Sequence, residues 1–246
     1  MEYLQGLDLD QLVRRHGPLD VARVAHLLGQ AASALAEAHA KGLVHRDVKP
    51  SNLMVGACGG VADTIKILDF GLVKSLDGVT DDAARTQMVT QAMTVVGTPH
   101  YLAPEAIRRE SSLGPLADVY ALGAVGYFLL SGREVFSGPT AIEVMALHLN
   151  GEVPPASELA GRPVDAGLEA VLRRCLSKAP DGRFWHGRAL ATALEALALD
   201  GWTQAAARAW RDEHQPEASV GAGEIPRTQL AIDMSARRES RAPGAA

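Results

Sequence analysis

The sequence predicts a mainly α-helical fold that contains one small β-hairpin. Apolar residues recur at three- and four-residue steps from Val21 to Ala38, and four later segments between residues 117 and 199 show a similar helical pattern. This is the period of helices that bury one face. Two short apolar runs near residue 60 flank a glycine-rich connection, which is typical of a hairpin.

The boundaries of each element follow from capping and turn residues. The first helix is predicted to begin after Asp20, a favourable N-cap, and to end near Gly42. The hairpin is predicted over residues 53–55 and 64–68, joined by 56–63. Residues 1–19 form a short segment of mixed pattern, for which no helix or strand is predicted. Further helices are predicted over 117–131, 140–151, 165–177 and 186–199, and Thr203 is predicted to cap a last one that ends near His214.

Composition excludes several classes of protein. The 246 residues are 47% hydrophobic and 22% charged, as in a globular domain, and 24 basic against 29 acidic residues disfavour nucleic-acid binding. Two cysteines, Cys58 and Cys175, exclude a disulfide framework. No apolar segment approaches the roughly 20 residues of a membrane span, and no signal peptide is evident, so we expect a cytoplasmic location. Residues 215–246 lack aromatic residues and are predicted to be a disordered tail.

A cluster of polar residues flanks the predicted hairpin. Asp47 and Asn52 lie five residues apart with Lys49 between them, and Asp69 follows the second strand. A hairpin that folds back brings Asn52 near Asp69, and their amide and carboxylate oxygens suit Mg²⁺. Asp47 is then available to accept a hydroxyl proton, while Lys49 supplies positive charge for a phosphoryl group. Each residue alone is commonly a turn or surface residue, so the prediction depends on their combination.

Three sequence motifs resemble those of protein kinases, and they occur in the kinase order. Residues 45–52 read HRDVKPSN, like the catalytic loop, and Asp69-Phe70-Gly71 resembles the metal-binding triplet. Residues 97–105 read GTPHYLAPE, like the end of an activation segment. The resemblance covers about residues 1–200, and Lys49 is typical of serine/threonine kinases. It is closest to the eukaryotic-like kinases of bacteria and implies a kinase-like fold, specifically the large, C-terminal lobe.

This resemblance implies an activity and a set of site residues. The implied reaction transfers the γ-phosphoryl group of ATP to Ser or Thr hydroxyls of a protein substrate. Asp47 would orient or deprotonate that hydroxyl, and Lys49 would contact the γ-phosphate. Asn52 and Asp69 would hold Mg²⁺, and Thr98 would hydrogen-bond near Asp47.

The resemblance also implies nucleotide contacts, a regulatory site and structural anchors. The Glu2 carbonyl and the Leu4 amide would bind the adenine edge, and Met54 would form the floor beneath the ring. Thr94 is the expected phosphosite, modified by an upstream kinase or by trans-autophosphorylation, with its phosphate paired to Arg46. Thr86 and Thr90 are weaker candidates for the phosphosite. The resemblance further implies two structural features: Asp118 accepts hydrogen bonds beneath the catalytic loop, and Glu105 forms a buried ion pair with Arg183.

The sequence departs from the kinase pattern at its beginning. It contains no G-x-G-x-x-G motif. Residues 1–4 resemble the hinge between the two kinase lobes, and the strand lysine and the helical glutamate that precede this hinge in kinases are also not found. We therefore expect a hinge remnant over 1–13, a large lobe over 14–200, a short helix over 201–214 and the tail over 215–246, with impaired activity. Three explanations for the missing small-lobe motifs stay open. The gene start is placed too late, another chain supplies the small lobe, or the chain is a non-catalytic kinase-like binding module.

Two alternatives to a protein kinase were weighed against the motifs. The retention of Asp47, Lys49, Asn52 and Asp69 argues against a non-catalytic scaffold, because a scaffold has no chemical need for all four. Small-molecule phosphotransferases share the Asp, Asn and Asp layout but lack a segment like residues 97–105. A protein kinase is therefore the favoured interpretation.

Overall fold

The sheet is antiparallel and has three strands rather than the two predicted. The computed structural model describes residues 6–68, 99–108, 110 and 114–214. Strands β1 (Gly6–Asp8), β2 (Leu53–Cys58) and β3 (Val61–Ile67) pair in the order β1-β2-β3. The predicted hairpin is present as β2 and β3, with both strands longer than expected and the turn narrowed to Gly59 and Gly60.

The N-terminal residues are more ordered than the sequence suggested. The expectation of a mixed segment over 1–19 is wrong for residues 6–16, where β1 is followed by helix α1 (Leu9–His16). Asp8 caps this helix by accepting a hydrogen bond from the Gln11 amide at 2.8 Å. A strand of three residues gains its stability from pairing with β2, which local patterns do not reveal. The predicted domain boundary between residues 13 and 14 falls inside α1 and stays a prediction.

The remaining helices follow the predicted segments, with two short additions. Capping explains the agreement, since Asp20 accepts a bond from Ala22, Thr140 from Glu143 and Asp165 from Leu168. The short helices α3 and α6 were not predicted. The helices are α2 (Val21–Ala40), α3 (Pro104–Ile107), α4 (Pro115–Ser131), α5 (Ala141–Asn150), α6 (Ala156–Ala160), α7 (Ala166–Cys175), α8 (Gly187–Glu195) and α9 (Gln204–His214).

Helix α4 forms the centre of the hydrophobic core. Every residue from Ala117 to Leu130 is buried, with α2 and α7 packed against it. Gly126 permits this close approach, because a Cβ atom there would lie 2.5 Å from a methyl carbon of Leu172 and 2.9 Å from one of Leu28. In the part of the chain that the structure describes, no helix combines the length and apolar character needed to cross a bilayer.

A buried ion pair ties α3 to the segment before α8, as the sequence resemblance implied. The Arg183 guanidinium donates to both carboxylate oxygens of Glu105, at 2.7 and 2.8 Å, and Arg183 is 2% exposed. Arg183 also donates to the carbonyls of Ser177 and Leu116. The pair therefore holds α3, which follows residues 99–103, against α4.

Removing one partner of this pair is expected to leave a buried charge uncompensated. We expect Glu105→Gln to lower the free energy of unfolding by about 3–5 kcal/mol. The double variant Glu105→Gln/Arg183→Met should cost less than the sum of the two single changes. Urea unfolding of all four proteins measures this coupling, and strictly additive losses would contradict it.

A second buried polar cluster lies where α5 meets α4. The Tyr120 hydroxyl lies 2.8 Å from Nδ1 of His148, and Lys178 Nζ donates to the carbonyls of Leu147 and His148. Burial, together with the nearby positive charge of Lys178, lowers the pKa of His148 to about 3. His148 is therefore neutral in the folded protein near pH 7.

This buried histidine makes the stability depend on pH in a defined window. Between the ordinary pKa of 6.5 and about 3, the unfolded chain binds a proton at His148 that the folded chain does not. Stability conferred by neutral His148 is complete above pH 6.5 and is lost as the pH falls toward 3, at up to about 1.4 kcal/mol per pH unit. We expect His148→Asn to flatten the slope of unfolding free energy between pH 6.5 and 4 relative to the unaltered chain. Equal slopes in the two proteins would contradict this assignment.

Candidate active site

The loop between α2 and β2 is held to the core by Asp118 of α4. One carboxylate oxygen of Asp118 accepts the His45 amide at 2.9 Å, and the other accepts the Arg46 amide at 2.8 Å. Arg46 adopts a left-handed backbone conformation with a φ of 65°. That conformation costs a non-glycine residue about 1–2 kcal/mol, which the charged acceptor offsets. Asp118 therefore acts as the anchor that the sequence resemblance implied.

His39 is a partner of this anchor that the sequence analysis missed. Its Nε2 atom lies 2.8 Å from the Asp118 carboxylate, and both side chains are almost fully buried. His39 occupies the last turn of α2, six residues before His45. A buried aspartate near the start of α4 needs several donors, but no local spacing identifies which histidine supplies one.

Three of the predicted site residues converge on a single carboxylate. Oδ2 of Asp47 accepts a hydrogen bond from Lys49 Nζ at 2.7 Å and another from Asn52 Nδ2 at 2.9 Å. The same Asn52 nitrogen donates to the Asp47 carbonyl at 2.7 Å. Asn52 is buried, whereas the Asp47 and Lys49 side chains are each 38% exposed. The cluster is thus fixed from below and open to solvent above.

The end of β3 lies against this cluster. The Leu68 amide donates to the Asn52 carbonyl at 2.9 Å, and the Leu68 carbonyl accepts from Nε2 of the buried His45 at 2.8 Å. His45 is therefore packed in the core and bonded, which fits a structural role and not that of a proton carrier. Leu68 immediately precedes Asp69 in the sequence, so the chain leaves β3 beside Asn52.

Met54 lies one strand position beyond this cluster. It is paired with Asp8 on β1 and with Lys66 on β3, and it is partly exposed, whereas its neighbours Leu53 and Val55 are buried. Met54 therefore occupies the sheet face opposite the core, where a flat ligand can be packed. Other predicted residues lie outside the described part of the chain: Glu2, Leu4, Asp69, Phe70, Thr86, Thr90, Thr94, Thr98 and the tail over 215–246.

Asn52 alone does not make a metal site and needs a carboxylate beside it. The described residues contain no group of three or more His, Cys, Asp and Glu side chains placed to hold a metal ion. Asn52 uses its Nδ2 atom to bond Asp47, which leaves the amide oxygen as its ligand atom. A magnesium site would therefore need the Asn52 oxygen together with a carboxylate such as that of Asp69.

The sequence of this chain matches the model of one protein family. The family model of the protein kinase domain matches residues 1–193, which is most of the chain. The chain therefore belongs to the protein kinase family. Its mostly helical fold with a small antiparallel sheet agrees with that membership, and the sequence-based hypothesis of a kinase fold is confirmed.

The related proteins are bacterial serine/threonine kinases. The chain is 34% identical to serine/threonine-protein kinase Pkn3 of Myxococcus xanthus over 99% of this chain and 43% of the relative. It is 35% identical to serine/threonine-protein kinase PknB of Mycobacterium tuberculosis over 75% of this chain and 28% of the relative. The chain thus spans less than half the length of these relatives.

A solved structure supports the same fold. The crystal structure of Rad53 residues 1–466 in complex with AMP-PNP superposes with a TM-score of 0.59 and 26% sequence identity. The match covers 79% of this chain and 46% of the Rad53 chain. The described elements therefore share their arrangement with part of the longer Rad53 chain.

The anchor can be tested without any assay of activity. Asp118→Asn replaces one carboxylate oxygen by a donor, so at least one of the three bonds to His39, His45 and Arg46 is lost. We expect the free energy of unfolding to fall by about 1–3 kcal/mol and the amides of residues 45 and 46 to exchange faster. Urea unfolding and amide hydrogen exchange measure the two effects. The exposed aspartate variant Asp181→Asn is the matched control, and equal behaviour of both variants would exclude the anchor.

Proposed function

We propose that this chain carries the phosphoryl-transfer machinery of a serine/threonine protein kinase. The reaction moves the γ-phosphoryl group of ATP to a Ser or Thr hydroxyl of a protein substrate. The observation that carries the proposal is the convergence of Lys49 and Asn52 on one oxygen of Asp47 in a solvent-open cluster. Membership of the protein kinase family supports the same reaction.

The cluster has the chemistry that this reaction needs. Asn52 and Lys49 orient the Asp47 carboxylate through their hydrogen bonds, so that it can accept the proton of a substrate hydroxyl. Lys49 Nζ lies beside that carboxylate, where its charge would stabilise the phosphoryl group in transit. In phosphoryl transfer such positioning and charge stabilisation supply most of the rate enhancement.

Nucleotide and metal would be held by residues around this cluster. Magnesium, when bound, would supply positive charge that stabilises the phosphates of ATP. The Asn52 amide oxygen and the Asp69 carboxylate would hold it, and Thr98 would bond near Asp47. Met54 would lie beneath the adenine ring, whose edge would bond the Glu2 carbonyl and the Leu4 amide. The open face of β2 at Met54 supports this placement.

The proposal includes a small lobe that acts with the residues described. Kinase catalysis needs a cover over the phosphates and a strand lysine, and the sequence shows no G-x-G-x-x-G motif. We propose that residues 14–200 correspond to the large lobe and that this chain alone has impaired activity. The longer bacterial relatives support such an arrangement. The cytoplasmic location predicted from the sequence belongs to the same proposal.

Substitution of Asp47 tests the reaction directly. We expect Asp47→Asn to lower kcat by about 10²–10⁴, because the proton acceptor is lost while the bonds from Asn52 and Lys49 can largely be kept. The assay measures phosphate transfer from ATP and Mg²⁺ to a Ser/Thr-containing protein. It uses the chain alone and the chain joined to any in-frame sequence that precedes the Met1 codon.

The exposed variant Asp181→Asn controls for the chemical change itself and should retain full activity. If the joined protein binds Mg²⁺ and ATP but transfers no phosphate to Ser or Thr, the enzyme proposal is wrong. A non-catalytic kinase-like binding module would then be the better description.

Phosphorylation of Thr94 would regulate this site. The Nε atom of Arg46 is buried and has no hydrogen-bond partner among the residues that the structure describes. A guanidinium in that state is suited to pair with a phosphate, and such a pair can order an activation segment.

We expect mass spectrometry of the protein expressed in cells to find phosphate on Thr94. The variant Arg46→Met should leave this modification in place but abolish the activation that it causes. Phosphate found at Thr86 or Thr90 and not at Thr94 would contradict the assignment.

A further inference from the structure

Residues beyond the kinase family match contact the hairpin that carries the candidate site. The match ends at residue 193, whereas Trp202, Gln204 and Arg208 all bond the hairpin. Arg208 donates to the Gly60 carbonyl in the turn at 3.0 Å. We call residues 202–210, with their partners Arg23 and Asp63, the C-terminal clamp.

A buried charge pair forms the centre of the C-terminal clamp. Arg23 of α2 is 2% exposed and donates to both carboxylate oxygens of Asp63, at 2.8 and 2.9 Å. The indole nitrogen of Trp202 donates to the same carboxylate at 2.9 Å. The Arg23 guanidinium also lies 4.5 Å from the ring centroid of Trp202 and 3.8 Å from that of Trp210. The two rings and the carboxylate thus enclose this cation.

Side-chain amides complete the clamp along the outer edge of β3. The Gln204 side chain accepts from the Ala62 amide at 3.0 Å and donates to the Ala62 carbonyl at 3.1 Å. Gln30 of α2 bonds the Asp63 carbonyl and the Ile65 amide in the same way. Each glutamine therefore pairs with this strand as a neighbouring strand would.

The clamp grips β3 at a point that is directly connected to the site. Asp63 has a φ of 53°, a left-handed conformation that aspartate tolerates at some cost. Five residues later the chain leaves this strand at Leu68, which bonds Asn52 and His45. Asp63 and the segment that supports Asn52 therefore belong to one continuous stretch of paired backbone.

We propose that Trp202 is a positioning residue of the candidate active site, holding β3 through Asp63 so that Asn52 keeps the geometry needed to bind Mg²⁺ with a nucleotide. This inference rests on the proposed function. It extends that function to residues 202–210, outside the residues that the protein kinase family model matches.

The test compares three tryptophan variants in the full chain. Trp202→Ala removes the ring and the indole donor, whereas Trp202→Phe keeps a ring and removes only the donor. Trp185→Ala is the matched control, because Trp185 is 75% exposed and distant in sequence from the clamp. Amide hydrogen exchange is measured over residues 50–68 and over α4. Binding of a fluorescent ATP analogue is titrated with Mg²⁺.

We expect Trp202→Ala to speed exchange over residues 50–68 while α4 keeps its protection. Its Mg²⁺ requirement for nucleotide binding should rise about tenfold, as for losses of supporting contacts around metal ligands, and saturating Mg²⁺ should restore binding. Trp202→Phe should show a smaller shift of the same kind, and Trp185→Ala should show none. The unchanged protection of α4 separates positioning from general instability, which would speed exchange over α4 as well.

Other results would overturn the inference. Unchanged exchange over residues 50–68, or equal acceleration over residues 50–68 and α4, would show that the clamp does not position the hairpin. An unchanged Mg²⁺ requirement in Trp202→Ala would show that Asn52 is positioned without the clamp. If the unaltered chain, joined to any in-frame sequence that precedes the Met1 codon, binds nucleotide with Mg²⁺ but transfers no phosphate, the proposed function fails and the inference stands on the binding data. If it binds no nucleotide under any condition, both fail.

Discussion

The candidate site depends on one buried carboxylate, that of Asp118. Helix α4 carries no other charged residue over its buried length, and Asp118 lies in its first turn, where the helix dipole favours negative charge. Its two oxygens collect the amides of His45 and Arg46 and the ring of His39. These bonds fix the backbone just before Asp47, and so determine where the side chains of the catalytic-loop-like segment can meet. A buried side chain of the core thereby sets the geometry of a carboxylate that is open to solvent.

The parts of the molecule that the sequence predicted are those governed by local rules. Helix periodicity and capping residues located α2, α4, α5, α7, α8 and α9 to within a few residues. The sequence analysis grouped Asp47, Lys49 and Asn52 in one cluster because they lie within six residues, and in the structure Lys49 and Asn52 both bond the Asp47 carboxylate. The Glu105 and Arg183 pair was implied by resemblance alone, since 78 residues separate the partners.

The parts that the sequence did not reveal are those made by long-range contacts. Strand β1 exists because β2 pairs with it, and His39 matters because Asp118 lies 79 residues further along the chain. The bonds of Asp63 to Arg23 and Trp202 span 40 and 139 residues. No pattern within a window of one or two turns contains such partners. The alignment with Pkn3 covers 99% of this chain, so it extends past residue 193 into this region, although the family pattern does not.

The glutamines along β3 have a consequence for how the sheet can be extended. A strand at the border of a sheet usually offers unpaired amides and carbonyls that can template association with another chain. Gln30 and Gln204 occupy such groups on Ala62, Asp63 and Ile65, so intermolecular strand addition at this border is blocked there. Within the described residues, the opposite border is the three-residue β1. Any further strand, whether from this polypeptide or from another molecule, would therefore join beside β1, which gives the sheet a single direction of growth.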